Sequence, residues 1–213
     1  MIAVIDYGVG NLFSLKSSFA ALGLEAVVTS DPLVLAKADH IVLPGVGAFG
    51  DAAEKLKTSG LWDVVKSEAH CGKPLLGICL GMQLLLEKSY EFGQFEGLGL
   101  IPGEVKPIAD KLAEKDASEG SSFAADLKIP QMGWNSLIMT NDSPIFKDTK
   151  NGEFMYFVHS FYCDAPAENV TSVCEYGAKL TASVQNGNVY GCQFHPEKSG
   201  PAGLRILSAF ASL

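Results

Sequence analysis

A cysteine stands at the centre of a short glycine-flanked segment, GICLG at 77–81. The apolar residues before it predict a buried strand, and MQLLL at 82–86 predicts a helix after it. Glycines two residues before and two after allow the sharp strand-to-helix turn on which hydrolases expose a nucleophile. A helix N-terminus favours a thiolate at this place through its N–H groups and its dipole. Cys79 is therefore our candidate nucleophile, and the alternative is a small buried core residue.

A nucleophilic thiol needs a base, and among the four histidines the best candidate is His195, in HPE at 195–197. Residues two apart in an extended chain point to the same side, so Glu197 can orient the His195 ring while its other nitrogen faces the thiol. The alternative is a surface turn, but the position after a predicted strand favours a triad with Cys79. His159 is expected half-buried in a strand, with substrate contact as the alternative.

Acyl transfer also needs donors for the negative charge that develops on the carbonyl oxygen. PGVG at 44–47 follows a predicted strand, and its glycines admit unusual backbone angles that can present N–H groups. The amide of Leu80 can add another donor. Taken alone, PGVG is also a common turn. A second glycine-rich segment, GVG at 8–10, lacks the third glycine of a dinucleotide fingerprint because Phe13 stands there, so that function is excluded.

The elements that carry these segments alternate between strand and helix. Apolar runs predict buried strands at 2–5, 24–28, 40–43 and 74–78, and helical periodicity appears at 12–22, 51–56 and 61–69. This order predicts one α/β domain with a parallel sheet and helices on both faces. Later β-like runs, which predict antiparallel additions to the sheet, lie at 99–108, 129–139, 154–161, 170–176, 180–184 and 189–194. An amphipathic helix over 204–210 closes the chain.

One segment has a biased composition. Residues 109–126 are rich in charged and small residues, with only Leu112 and Phe123 large and apolar. This composition predicts a mobile surface loop. We therefore expect a single domain over residues 1–213 with a flexible insertion at 109–128.

Composition excludes several classes of function. The chain has 16 Lys and Arg against 24 Asp and Glu, a net charge of −8, which argues against binding to nucleic acid or anionic membranes. No apolar run reaches the length of a membrane span, and no signal peptide is recognisable, so we expect a cytosolic protein. Five cysteines without CxxC or Cys/His spacing argue against a disulfide scaffold or a zinc site. No metal or cofactor is expected.

Three segments together resemble class I glutamine amidotransferases, which use a Cys-His-Glu triad: PGVGAFG at 44–50, GICLGMQLL at 77–85 and FHPEKS at 194–199. Four more are similar to the glutaminase subunits of imidazole glycerol phosphate synthases, from histidine biosynthesis: DYGVGNLFSL at 6–15, GLGLIPGEV at 97–105, QMGWN at 131–135 and YFVHSF at 156–161. The resemblance implies a single-domain, flavodoxin-like α/β fold with a mixed central sheet and helices on both faces.

The resemblance also implies a mechanism. Cys79 attacks the side-chain carboxamide of glutamine, His195 acts as base and then as acid to the leaving ammonia, and Glu197 orients His195. Water then hydrolyses the thioester to glutamate. Ammonia passes to a partner subunit, a (β/α)₈ barrel, where it reacts with a ribulosyl aminoimidazole carboxamide nucleotide to give imidazole glycerol phosphate and aminoimidazole carboxamide ribonucleotide. The expected assembly is a heterodimer.

Further positions follow from the same resemblance. The oxyanion donors are Val46, Gly47 and Leu80, and the residues around glutamine are Gly45, Gln83, Ser160 and Phe161. The residues facing the synthase partner are Asn11, Trp134 and Lys198. Two departures concern the surroundings of the triad, since Phe161 stands where the family often has Tyr and Gln131 replaces a frequent His.

Three other functions are weighed against this one. The glutaminase of pyridoxal phosphate synthesis belongs to the same superfamily, but QMGWN and the DYGVGN opening argue against it. A catalytically idle regulatory subunit has no chemical need for Cys79, His195 and Glu197 together. A cysteine protease would need a substrate cleft, for which the sequence shows no signature.

Overall fold

Strands and helices alternate through the first half of the chain, as the hydrophobic pattern predicts. The computed structural model describes residues 1–120 and 127–213. The elements are β1 (Ile2–Ile5), α1 (Leu12–Ala21), β2 (Ala26–Thr29), α2 (Pro32–Lys37), β3 (His40–Gly45), α3 (Phe49–Thr58), α4 (Leu61–His70), β4 (Leu75–Cys79) and α5 (Leu80–Leu84). Helix α2 was not predicted from the sequence. It begins at a proline in its first turn and is capped by Asp31, whose side chain accepts from the Leu33 N–H at 2.8 Å.

The second half is dominated by strands. Its elements are β5 (Lys88–Ser89), β6 (Phe95–Glu96), β7 (Glu104–Pro107), α6 (Ile108–Glu119), β8 (Gln131–Ser136), β9 (Ile138–Met139), β10 (Phe154–His159), β11 (Phe161–Asp164), β12 (Val170–Tyr176), β13 (Ala178–Asn186), β14 (Val189–Cys192) and α7 (Gly200–Phe210). Short 3₁₀ turns lie at Pro144–Phe146, Ala167–Asn169 and Pro196–Lys198.

Eight strands form the central sheet in the order β2-β1-β3-β4-β14-β13-β12-β9. The strands from β2 to β14 pair in parallel, and β13, β12 and β9 continue the sheet antiparallel. The predicted antiparallel additions are therefore correct for β9, β12 and β13. They are wrong for β14, which lies parallel beside β4, and for β7, β8 and β10, which join other sheets. Strands β8 and β10 form an antiparallel ribbon, and β11-β7-β5-β6 form a separate sheet.

Side chains of the central strands alternate between two apolar cores. On one side Ile5 and Leu43 pack in the core that also holds buried residues of α2, α3 and α4. On the other side Val4 and Val42 pack in the core that holds buried residues of α1 and α7. Strands covered on both faces are apolar throughout, which is why β1 and β4 are continuous hydrophobic runs. The predicted mixed sheet with helices on both faces is confirmed.

The predicted mobile loop is wrong for most of its length. Residues 108–119 form helix α6, and Leu112 is only 2% exposed. The side chains of Leu112 and Leu127 both lie against Gly177, where a Cβ would be 2.8 Å and 2.3 Å from them. Burial of Ile108 and Leu112 thus holds a helix in a segment whose charged composition predicts a loop. Residues 121–126, including Phe123, lie outside the described residues.

Candidate active site

Cys79 occupies the sharp turn between β4 and α5. Its backbone angles, φ 54° and ψ −112°, are unusual for a residue with a side chain. The flanking glycines are needed because backbone approaches closely at both places: a Cβ on Gly81 would lie 1.9 Å from the carbonyl oxygen of Leu43, and one on Gly77 would lie 2.7 Å from that of Gly81. The strained turn and its glycines form the predicted nucleophile elbow. Helix α5 begins at Leu80 and ends at Leu84, so it starts and ends two residues earlier than predicted and has the predicted length.

His195 and Glu197 form a buried pair beside the elbow. The Nδ1 atom of His195 lies 2.8 Å from Oε1 of Glu197, and the two side chains are 3% and 1% exposed. The sequence predicts this contact from an extended chain, in which residues two apart point to the same side. In the structure residues 196–198 form a 3₁₀ turn, and this turn brings Glu197 to His195. The backbone of His195 is held as well: its N–H donates to the Tyr156 carbonyl at 2.9 Å, and its carbonyl accepts from the Ser199 hydroxyl at 2.6 Å.

The surroundings of His195 favour its charged form. Burial by itself lowers the pKa of the ring, but attraction to Cys79 and Glu197 outweighs it and raises the pKa to about 9. The Nε2 atom makes no hydrogen bond to any residue that the structure describes. With Nδ1 held by Glu197, Nε2 is the nitrogen left for proton transfer.

A cavity of about 290 Å³ lies over the elbow. Of the predicted residues, its lining includes Cys79, His195, Val46, Gly47, Leu80, Gln83, Ser160 and Phe161. Two others lie just behind this lining. Glu197 contacts the far side of the His195 ring, and Gly45 ends β3, where a Cβ would lie 2.7 Å from the amide nitrogen of Gly81. The fold thus brings together residues from four distant segments of the chain.

Glu91, which was not predicted from the sequence, is a carboxylate that also lines the cavity. Its Oε2 accepts a hydrogen bond of 2.6 Å from the Phe49 amide, the first residue of α3. Burial raises the pKa of this carboxyl. Glu91 follows the two-residue strand β5 and precedes β6, and no motif marks it. Pro130 and Val158 also line the cavity without having been predicted.

His159 is fully buried rather than half-buried, and it lines the cavity. Its Nδ1 lies 2.8 Å from the carbonyl oxygen of Phe161, and its Nε2 lies 3.0 Å from the side-chain oxygen Oε1 of Gln131. Burial lowers the pKa of His159 to about 4, so the ring is neutral at pH 7. The neutral ring carries a single N–H, which donates to one of these two oxygens and orders the cavity wall, and the ring carries no charge that would compete with His195.

An exposed apolar surface lies next to the site on the β8–β10 ribbon. Met132, Trp134 and Phe154 are 66%, 56% and 59% exposed. Tyr156 lies opposite Trp134 in the ribbon, with ring centroids 6.1 Å apart, and the Lys198 Nζ lies 5.9 Å from the Tyr156 ring centroid. Trp134 and Lys198, both predicted to face a partner, therefore share one surface. A contiguous exposed apolar surface is typical of a protein interface.

Asn11, the third residue predicted at the partner interface, has a structural role in the isolated chain. Its side chain caps α1 by accepting from the Ser14 amide at 3.4 Å. The neighbouring Phe13 is 82% exposed.

Neither a metal site nor a membrane span is found in the described ranges. Within residues 1–120 and 127–213, no group of three His, Cys, Asp or Glu side chains is placed to hold a metal ion. None of the helices in that part of the chain is long and apolar enough to cross a membrane. All five cysteines are free thiols, and Cys71 is the exposed one.

The chain matches a known protein family over almost its whole length. The family model for class-I glutamine amidotransferases matches residues 3–212. The imidazole glycerol phosphate synthase subunit HisH of Bacillus cereus is 45% identical over 210 residues, which cover 99% of this chain and 93% of that protein. The HisH subunit of Syntrophotalea carbinolica is 44% identical over 214 residues, covering 100% of both chains.

Solved structures share the same fold. The crystal structure of a glutamine amidotransferase has a TM-score of 0.72 at 18% identity and covers 99% of this chain and 100% of its own. The structure of PurLQS from Thermotoga maritima also has a TM-score of 0.72, at 21% identity, with 99% and 97% covered. The chain belongs to the class-I glutamine amidotransferase family. The high identity to full-length relatives places it, within that family, with the HisH subunits of imidazole glycerol phosphate synthase.

Proposed function

We propose that this chain is the glutaminase subunit of an imidazole glycerol phosphate synthase and that it supplies ammonia for histidine biosynthesis. Cys79 on its elbow, beside the buried His195–Glu197 pair 2.8 Å apart, is the observation that carries this proposal. The family gives the reaction class, and the intact triad supports activity rather than an idle regulatory role. Residues 1–213 act as one domain, and we expect it to work in the cytosol.

The chemistry proceeds through a thioester. With its pKa raised to about 9, His195 holds a proton at neutral pH, and Cys79 attacks the carboxamide carbon as a thiolate. Amides of Val46, Gly47 and Leu80 receive the oxyanion. His195 then gives its Nε2 proton to the leaving ammonia. A water molecule that gives a proton back to His195 hydrolyses the thioester to glutamate.

The cavity offers groups of the right charge for the α-amino end of glutamine. Glu91 presents a carboxylate, and Gln83 presents a carbonyl oxygen because its amide hydrogens are already donated to Phe161 and Gln193. Both groups are acceptors, as an ammonium group requires. Ser160 and Phe161 complete the wall, with Gly45 supporting the oxyanion loop from behind. No cofactor takes part.

The partner is a synthase subunit with a (β/α)₈ barrel, bound as a heterodimer through the apolar surface of the β8–β10 ribbon. Trp134 is the central residue of this surface, and Lys198 lies beside it in the turn that also carries Glu197. Asn11 lies at the start of α1, next to the exposed Phe13. A partner bound there sits close to the cavity, which shortens the path for ammonia.

Genetic complementation tests this function. A bacterial strain that lacks its own glutaminase subunit but keeps a compatible synthase subunit receives this chain, and growth without histidine is measured at low ammonium. We expect the wild-type chain to restore growth and Cys79→Ala to fail. High ammonium replaces the missing glutaminase and serves as the control for the rest of the pathway. Failure of the wild-type chain, with the complex shown to form, contradicts the proposal.

A further inference from the structure

Gln193 is a buried polar residue of the site that lies outside the triad. It stands two residues before His195 and is 0% exposed. Its Nε2 lies 3.7 Å from the sulfur of Cys79 and donates to it. Its Oε1 accepts from Nε2 of Gln83 at 3.0 Å. A buried amide with both ends engaged has a fixed orientation, here with its donor toward the nucleophile.

The orientation of Gln193 depends on Gln83. The Nε2 atom of Gln83 also donates to the carbonyl oxygen of Phe161 at 3.3 Å. Turning the Gln83 amide over would place its oxygen against two acceptors, so the amide stays as it is. Gln83 therefore presents a donor to Gln193, which in turn must direct its own N–H group at Cys79.

The sulfur of Cys79 has a different partner for each of its two protonation states. The neutral thiol can donate to the carbonyl of Val158, which lies 3.9 Å away. A thiolate has no hydrogen to donate, and Gln193 offers it an N–H group. A hydrogen bond to a charged acceptor is stronger than one to a neutral acceptor, so the contact favours the thiolate.

We propose that Gln193 is a positioning residue that holds the Cys79 sulfur and stabilises its thiolate, with Gln83 fixing the amide that does so. The inference rests on the proposed role of Cys79 as nucleophile. Gln83 then has two roles. It lines the substrate cavity, and it orients the amide of Gln193 so that the N–H group of Gln193 faces Cys79.

The pH dependence of Cys79 alkylation tests the proposal. Iodoacetamide reacts with thiolates, so its rate against pH reports where the thiol ionises. Exposed Cys71 would react as well and is removed by Cys71→Ser in every protein used. In that background we expect Gln193→Met, which keeps the length but lacks the donor, to raise the midpoint of the alkylation profile by about one pH unit.

The matched control is Gln185→Met, the same substitution at a glutamine whose Nε2 donates to the Gly187 carbonyl at 3.0 Å. Its midpoint should equal that of the parent. A purely structural role for Gln193 would lower stability or the overall rate and leave the midpoint in place. An unchanged midpoint in Gln193→Met therefore overturns the proposal.

A second variant covers the case in which Gln193→Met does not fold. Gln83→Met removes the group that orients Gln193, and we expect the midpoint to rise in the same direction. An unchanged midpoint in that variant then overturns the proposal instead. Failure of the proposed function is a separate result, because it would show as no glutamate release by the wild-type complex, whatever the alkylation midpoint.

Discussion

Removing the charge of Glu197 should disable catalysis while keeping the shape of the site. In Glu197→Gln the side chain keeps its size, but the carboxylate beside His195 becomes a neutral amide. Two unit charges 2.8 Å apart attract each other by about 6 kcal/mol at an effective dielectric constant of about 20. The remaining neutral hydrogen bond recovers about 1 kcal/mol. The difference, about 5 kcal/mol, is an upper limit. We expect kcat for glutamine hydrolysis to fall by about 10²- to 10³-fold, a loss of about 3–4 kcal/mol.

The assay measures glutamate release by the complex with its synthase subunit and acceptor nucleotide. The matched control is Glu68→Gln, which removes a 2.5 Å ion pair with Lys73 whose side chains are 17% and 13% exposed. The control should keep the wild-type kcat. A Glu197→Gln enzyme within threefold of wild type would refute the assignment of this carboxylate to His195.

Stability gives the same variant a second signature. The pKa of His195 is raised from 6.5 to about 9 in the folded chain, so the folded state holds this proton more tightly than the unfolded state does. The stabilisation is complete below about pH 6.5 and is lost as the pH rises through about 9. Glu197→Gln lowers the pKa of His195. The difference in unfolding free energy between wild type and variant should therefore be largest at low pH within this window and shrink toward pH 9, as urea titrations can measure.

Three further changes test the elbow, α6 and the oxyanion loop. Gly81→Ala forces a Cβ against the Leu43 carbonyl, and its loss of unfolding free energy should reach about 4 kcal/mol or more. The control is Gly187→Ala, where no atom lies within 4 Å of the added Cβ, and it should lose only about 1–2 kcal/mol of unfolding free energy. Equal losses for the two variants in urea titrations would refute the close approach of backbone at Gly81. Leu112→Ala should cost about 2–4 kcal/mol because its side chain is buried, whereas an unchanged melting curve would mean that α6 is not packed on the domain. Gly47 has φ +98°, so the oxyanion loop can change conformation and turn its amides away from the oxyanion in the free subunit. We therefore expect kcat of the free subunit to be about 10²- to 10³-fold below that of the complex with nucleotide. Equal kcat values would refute activation of the loop by the partner.

The elbow and the triad could be predicted because their chemistry is local in the sequence. GICLG encodes the strand, the turn and the close approaches within five residues, and HPE places a histidine and its carboxylate two residues apart. Even there the conformation was mistaken, since a 3₁₀ turn rather than extended chain brings Glu197 to His195. The pairing of His195 with Glu197 was therefore predicted correctly from the two residue types, although the backbone conformation between them was not.

Other parts of the site depend on tertiary packing that no local pattern reveals. Glu91 reaches the cavity through a short hairpin, and it is fixed by an amide 42 positions away. Gln193 meets Gln83 only because β14 lies beside β4 in the sheet. Helix α6 was missed for a related reason, because two buried side chains, Ile108 and Leu112, outweigh a charged composition once a surface exists for them to pack on.

The most direct test of the thioester mechanism is the rate of glutamate release by Cys79→Ala in complex with the synthase subunit. The change removes the sulfur and little else from a side chain that is 8% exposed, so folding and partner binding should persist. We expect glutamate release to fall to the background of the assay, with partner affinity unchanged. Release of glutamate at a rate near that of the wild-type complex would contradict the assignment of Cys79 as the nucleophile.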